Sequence, residues 1–222
     1  MQNINNNGFV FYDEKDIFNR EYLIKNISIE LKNKLFRLNK AIDFRQIETS
    51  LLQDKESIDN EYFLEKNYIF ETNEDFCLRP ETTKGSYNIA KYLLKHYEAK
   101  LPLCVWQSGK SFRNEQDKTF KNIRLKEFYQ LEFQLLYSNT TKADYPNILK
   151  EFIFSFYENE FSKYKVEMEL SDRLPKYSLE TTDIIINGLE VCSMSLRNDF
   201  ENNINNFEIS IGLDRLCFLK NN

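Results

Sequence analysis

The stretch EFYQLEFQLLY, residues 127–137, alternates between polar and apolar positions for most of its length. Successive side chains of a strand point to opposite sides, so Phe128, Gln130, Glu132 and Gln134 share one face and Tyr129, Leu131, Phe133 and Leu135 share the other. One face is a core face and the other is polar. Downstream, alternation in NGLEVCSM (187–194) groups Glu190, Cys192 and Met194, while FEISIG (207–212) sets Glu208 and Ser210 opposite Phe207 and Ile209. Each strand offers a carboxylate. Alternation alone suits acids that face solvent on the uncovered side of a sheet. The alternative is a cleft floor that receives a cationic group, with Arg113, Arg124, Arg197 and Arg215 nearby to hold phosphates.

Working outward, Leu23, Ile27, Leu31 and Leu35 recur every four residues and predict a long helix with one apolar stripe over Ile17–Leu38, with Asp16 as its cap. Residues 42–52 read as a strand, 53–67 as a charged connection, and 68–71 and 76–79 as short strands. Pro80 followed by Ile89, Ala90, Leu93, Leu94 and Tyr97 predicts a second helix entered through a polar turn. Residues 101–107 and 111–114 read as extended, 116–122 as a polar loop and 124–137 as a long strand. A helix over 143–164, strands near 183–195 and 206–211, and a short helix opened by Gly212 complete the chain. Strand blocks joined by polar turns predict an α+β fold: an antiparallel β-sheet flanked by helices, with the helices on one side.

Composition narrows the function. The 222 residues are 41% hydrophobic with few Gly or Pro, enough for one sizeable core, and one domain over 1–222 is expected. A net charge of −5 argues against broad binding to a phosphate backbone, although a local basic patch is compatible with it. No apolar run approaches the roughly 20 residues of a membrane helix and the start MQNINNN lacks a signal-peptide core, so a cytoplasmic protein without membrane attachment is expected. Cys77, Cys104, Cys192 and Cys217 form no CxxC pair and are expected as buried thiols. His96, the single histidine, removes Ser-His-Asp and Cys-His chemistry and is expected at the surface near a helix end.

The segment GKSFRNEQDKTFKNIRLKEFYQLEF (109–133) resembles motif 2 of class II aminoacyl-tRNA synthetases, in its glycyl-type version. CLRPETTKG (77–85), NGLEVCSMSLRNDF (187–200) and FEISIGLDRL (207–216) resemble further segments of that family in the same order, and SIELKNKLF (28–36) resembles its motif 1 helix. Several linked motifs in order are far more specific than any one alone. The resemblance implies the class II synthetase catalytic-domain fold. Two positions depart from it: Lys126 stands in place of an arginine, and Ser193 in place of a glycine on the cleft floor.

Carried over by matching position, the resemblance implies that Arg113 holds the α-phosphate and Glu115 the adenine amino group. Phe128 would stack on adenine, Arg124 would join the ATP set, and Arg215 would lie near the adenine and γ-phosphate. Glu190 matches the acid that helps hold Mg²⁺ or the ATP ribose-phosphate region. Glu81, Glu132 and Glu208 match three glutamates around the glycine ammonium, Ser210 a serine beside Cα, and Arg197 joins this amino-acid set. A full pocket then rejects larger side chains sterically while charge supplies affinity.

The implied reaction is ATP- and Mg²⁺-dependent activation of a small amino acid, glycine first, to its adenylate. Transfer would follow to a tRNA acceptor stem, the thiol of a carrier protein or a small amine. A homodimer through the first helix is implied, and no anticodon-reading segment is matched after Arg215. The competing expectation is a non-catalytic relative that keeps the fold as a binding or regulatory subunit.

Overall fold

In the computed structural model, the structure describes residues 8–58, 68–114, 123–172, 174, 176–200 and 203–222. Helix α1 (Glu14–Leu38) buries Leu23, Ile27, Leu31 and Leu35, the stripe expected from their four-residue spacing. Burying each such side chain contributes about 1.5–3 kcal/mol. Its cap is Asp13 rather than Asp16. Asp13 Oδ1 accepts from the Asp16 backbone N–H at 2.8 Å, and the Asp16 carboxylate accepts from the Asp13 N–H, a reciprocal capping box.

Among the described residues the central sheet has seven strands. They are β1 (Asp43–Gln46), β5 (Leu103–Phe112), β6 (Glu127–Ser138), β7 (Val166–Leu170), β8 (Ser178–Ile186), β9 (Leu189–Arg197) and β10 (Ile204–Gly212), in spatial order β1-β5-β6-β10-β9-β8-β7. Only β1 against β5 is parallel; every other neighbouring pair in this sheet is antiparallel. A small second sheet joins β2 (Leu52–Asp54), β4 (Phe76–Leu78) and β3 (Phe70–Glu71). The stretch expected as one strand over 42–52 therefore splits between two sheets, while the two extended pieces expected at 101–114 form one strand, β5. Strand β7 was not expected. Its sequence VEMEL is too polar to stand out, and its residues are half-buried or exposed along a sheet edge.

Helices α3 (Tyr145–Glu160) and α4 (Leu213–Asn221) pack with α1 on the core face, where Leu131, Phe133, Leu135, Tyr157 and Ile209 lie in one cluster. Helix α2 (Thr83–His96) does not join them. It packs Ala90 against Leu103, Val105 and Leu136, which project from the opposite face of the sheet. The helices thus flank the sheet on both sides, correcting the one-sided arrangement expected from sequence. The four cysteines are buried thiols, and His96 lies exposed in the last turn of α2. Among the described residues no helix is long and apolar enough to cross a membrane.

Candidate active-site cleft

The polar face of β6 changes character along its length. Leu136 lies under α2, Gln134, Glu132 and Gln130 follow, and Phe128 lies at the far end. Helix α2 covers the Leu136 end of this face, and its start reaches as far as Glu132. Beyond it opens a cleft of about 470 Å³, in the size range of small-molecule sites. Its lining includes Glu81, Arg113, Phe128, Glu190, Glu208, Ser210 and Arg215.

Two of the three strand acids do not face bulk solvent. Glu132 is 0% exposed and Glu208 6%. Glu132 Oε2 accepts from the hydroxyls of Thr82 and, at 3.3 Å, Thr83, while its Oε1 accepts from Gln134 Nε2 at 2.8 Å. Thr83 also reaches Glu208 Oε1 at 3.3 Å, and Gln134 reaches Glu208 Oε2 at 3.1 Å. The two carboxylates therefore share one threonine and one glutamine. Burial, reinforced by the charge of Glu208, pushes the Glu132 carboxyl up to about 8. Glu132 does not line the cleft itself but lies one layer behind it.

Thr82 and Thr83 escaped the sequence reading. Thr82 occupies the N-cap position of α2, yet its hydroxyl makes no cap and is directed to Glu132 instead. The start of α2 is pinned to β5 by Gln107, whose Nε2 donates to Thr82 O at 3.1 Å and Ser86 Oγ at 2.7 Å. Gly85 permits the close approach: a Cβ there would stand 2.4 Å from Thr49 Oγ1. Arg79, buried behind this turn, donates to Thr49 Oγ1 at 2.9 Å and Lys110 O at 2.8 Å, so it braces the turn rather than entering the cleft.

Arg197 is 4% exposed and is not part of the cleft lining. Its Nη1 donates to Glu208 at 2.6 Å, and Nε and Nη2 grip Asp199 at 3.0 and 2.6 Å. Burial disfavours its cation, but Glu208 and Asp199 outweigh that, and its pKa is raised. Arg197 is thus placed to hold Glu208 in position.

Arg113 donates from Nε to Pro80 O at 2.9 Å, approaches Glu81 at 3.7 Å, and has its Cζ 5.1 Å from the centre of the Phe128 ring. Arg215, in the first turn of α4, donates to the Glu190 carbonyl and lies 3.7 Å from the Glu190 carboxylate. Arg124 also lines the cleft. Glu115 lies outside the described residues, as does the expected loop 116–122.

Glu190 reaches the cleft for a reason that alternation missed. Cys192 and Met194 pack into the core, and the register opposite Glu208 and Ser210 puts Ser195 and Ser193 on the cleft face. The pairing of β8 with β9 is irregular between Ile184 and Ile185, which shifts the phase at Glu190. It parts Glu190 from the face it was expected to share with Cys192 and Met194. No group of three or more potential ligands for a metal ion occurs among the described residues. One carboxylate, Glu190, still fits Mg²⁺, which takes most of its ligands from substrate phosphates and water.

Residues 62–206 match the family described as the tRNA synthetase class II core domain (G, H, P, S and T). The chain is similar to a Glycine--tRNA ligase of Mycoplasma capricolum, 33% identical over 132 residues that cover 56% of this chain and 29% of that protein. It is also similar to one of Staphylococcus aureus strain Newman, 35% identical over 117 residues covering 51% and 25%. To one of Mycoplasmopsis synoviae it is 28% identical over 193 residues, 74% of this chain and 42% of that protein. The match spans under half the length of each of these relatives. Among solved structures, the Desulfitobacterium hafniense PylSc, a pyrrolysyl tRNA synthetase, superposes with a TM-score of 0.65 at 18% identity, covering 89% of this chain and 69% of that one.

Proposed function

The chain belongs to the class II tRNA synthetase core family, and from that membership we propose that it uses ATP to activate glycine as its adenylate for transfer to an acceptor. One observation carries the reading: two carboxylates, Glu81 and Glu208, line the same cleft as Arg113, Arg215 and Phe128. An amino acid presents a cation at one end and a nucleophilic carboxylate at the other, and ATP presents an aromatic base and a polyanion. The cleft offers the complementary groups for each.

In this mechanism the ammonium lies against Glu81 and Glu208, with Glu132 behind them and Ser210 beside Cα. Phe128 stacks on adenine, and Arg113, Arg124 and Arg215 face the phosphates. The amino acid carboxylate is already ionised, so it attacks the α-phosphorus without a protein base and pyrophosphate leaves. The protein positions the reactants and stabilises charge on the phosphate oxygens. Glu190 would be the protein's carboxylate for Mg²⁺, which would supply further neutralisation of that charge. The acceptor is a tRNA acceptor stem, a carrier-protein thiol or a small amine.

We take residues 1–222 as one catalytic domain, acting in the cytoplasm where ATP and amino acids are at hand, and pairing as a homodimer through α1. The relatives' names support glycine as the substrate. The test is trapping: with ATP, Mg²⁺, glycine and hydroxylamine, the purified chain yields glycine hydroxamate. ATP binding without any hydroxamate, from glycine or another amino acid, would instead support a non-catalytic binding subunit.

A further inference from the structure

Tyr177 has no part in the account above, yet its ring lines the cleft beside Glu81, Thr83 and Glu208. It stands immediately before β8, and its carbonyl accepts from the Asn198 N–H at 2.9 Å, so its backbone is tied to the end of β9. The Arg197 guanidinium lies between two tyrosines, with Cζ 3.8 Å from the centre of the Tyr177 ring and 5.0 Å from that of Tyr87. A cation held by Asp199 and Glu208 on its edges and by aromatic rings on its faces is a rigid support. The Tyr177 ring is thereby fixed in place.

The position is informative because of what surrounds it. Burial raises the pKa of the Tyr177 phenol, and Glu81, Glu208 and Glu132 all push it the same way. Tyr177 lines the cleft together with Glu81 and Glu208, two of the acids assigned to the ammonium. An amino acid held there has its Cα one bond from the ammonium nitrogen, so a side chain on Cα must find room within the same end of the cleft. The floor at that point is made of Ser195 and Ser210, which are small. Tyr177 is a bulky member of a lining that also holds Gln130 and Leu174.

Resting on the activation reading above, we propose that Tyr177 is the residue that sets the size limit of the amino-acid pocket, its ring occupying the space that a side chain on Cα would need. The acids select a cation; Tyr177 selects the absence of a side chain. A single methylene in a snug pocket is worth about 10–200-fold in discrimination, which is the scale on which its removal should act.

The experiment compares Tyr177→Ala, Tyr177→Leu and Tyr177→Phe in pyrophosphate exchange with glycine, alanine and serine. Tyr177→Ala should raise the ratio of kcat/KM for alanine to that for glycine by about tenfold or more, Tyr177→Leu by less, and Tyr177→Phe should leave it within about twofold. Loss of support for Arg197 alone would lower activity with every amino acid together and leave the ratio unchanged. If Tyr177→Ala does not fold, Tyr177→Leu, which keeps an apolar cover over Arg197, decides the matter. An unchanged ratio in the folded variants overturns the role of Tyr177 while the activation reading stands. Failure of the unaltered protein to catalyse exchange with any amino acid overturns both.

Discussion

Arg197 Nη1 donates to Glu208 Oε2 at 2.6 Å, joining a buried guanidinium to a carboxylate that lines the cleft. The pair holds Glu208 in place at the wall of the cleft. Glu132, one layer back, acts on the ammonium from a greater distance. Glu208→Gln should raise the KM for glycine at least tenfold, since a hydrogen bond to a charged group contributes about 1.5–3 kcal/mol. Glu132→Gln should act in the same direction but less strongly. Exchange kinetics with each substrate varied in turn should show the KM for ATP nearly unchanged in both. A silent Glu208→Gln would place the ammonium elsewhere.

Glycine binding should depend on pH through Glu132. Its carboxyl is raised from about 4.5 to about 8, chiefly by burial and then by Glu208, so the free protein holds a proton there at neutral pH. An incoming ammonium favours the carboxylate and expels that proton. Affinity for glycine should therefore rise as pH rises from about 6 to 8, by at most tenfold per unit, and level off above. Stability runs the other way: with the folded value above the unfolded one, the fold loses stability as pH rises from about 4.5 through about 8. The glycine KM measured across this range checks the first claim, and a flat profile that Glu132→Gln leaves unaltered would contradict it.

Arg113 and Arg215 face the phosphates in this account, from β5's end and the first turn of α4. Arg113→Ala and Arg215→Ala should each lower exchange by about 10²-fold or more, the scale of losing one preorganised stabiliser of developing charge. Circular dichroism and melting should show an intact fold, because both side chains are only partly buried. Unchanged ATP affinity and exchange in both variants would mean that the phosphates lie elsewhere.

Helix α1 buries one stripe and leaves Ile17, Phe18 and Ile29 exposed on its other sides, with Phe11 exposed just before it. The proposed two-fold interface would cover them. Light scattering should give a dimer mass at micromolar concentration, and Phe18→Asp should shift it toward the monomer. A monomer before any substitution would remove this part of the account.

The alternation of residues 127–137 and the order of the motifs were legible because a period of two and a chain of matched segments are local signals. Sequence reading brought Glu81, Glu208, Arg113, Phe128 and Arg215 to one cleft, and the structure does the same. Thr82 and Thr83 lie in the matched segment CLRPETTKG but were given no role there, and Tyr177 falls in no matched segment: their importance comes from Glu132 and Arg197, about 50, 49 and 20 residues away, which only the fold brings near. Alternation misplaced Glu190 relative to Cys192 and Met194 because one irregularity in strand pairing reverses its phase. The layering that puts Glu132 behind Glu208 is invisible to periodicity, since both residues lie on the same face.

Activation of the smallest amino acid in this cleft is what the proposed function rests on. Exchange of labelled pyrophosphate into ATP, run with the purified chain and each of the twenty amino acids in turn, tests it most directly. The account predicts that glycine supports the fastest exchange, with alanine and serine far behind and the larger residues silent. Exchange supported best by a large or aromatic amino acid would contradict it.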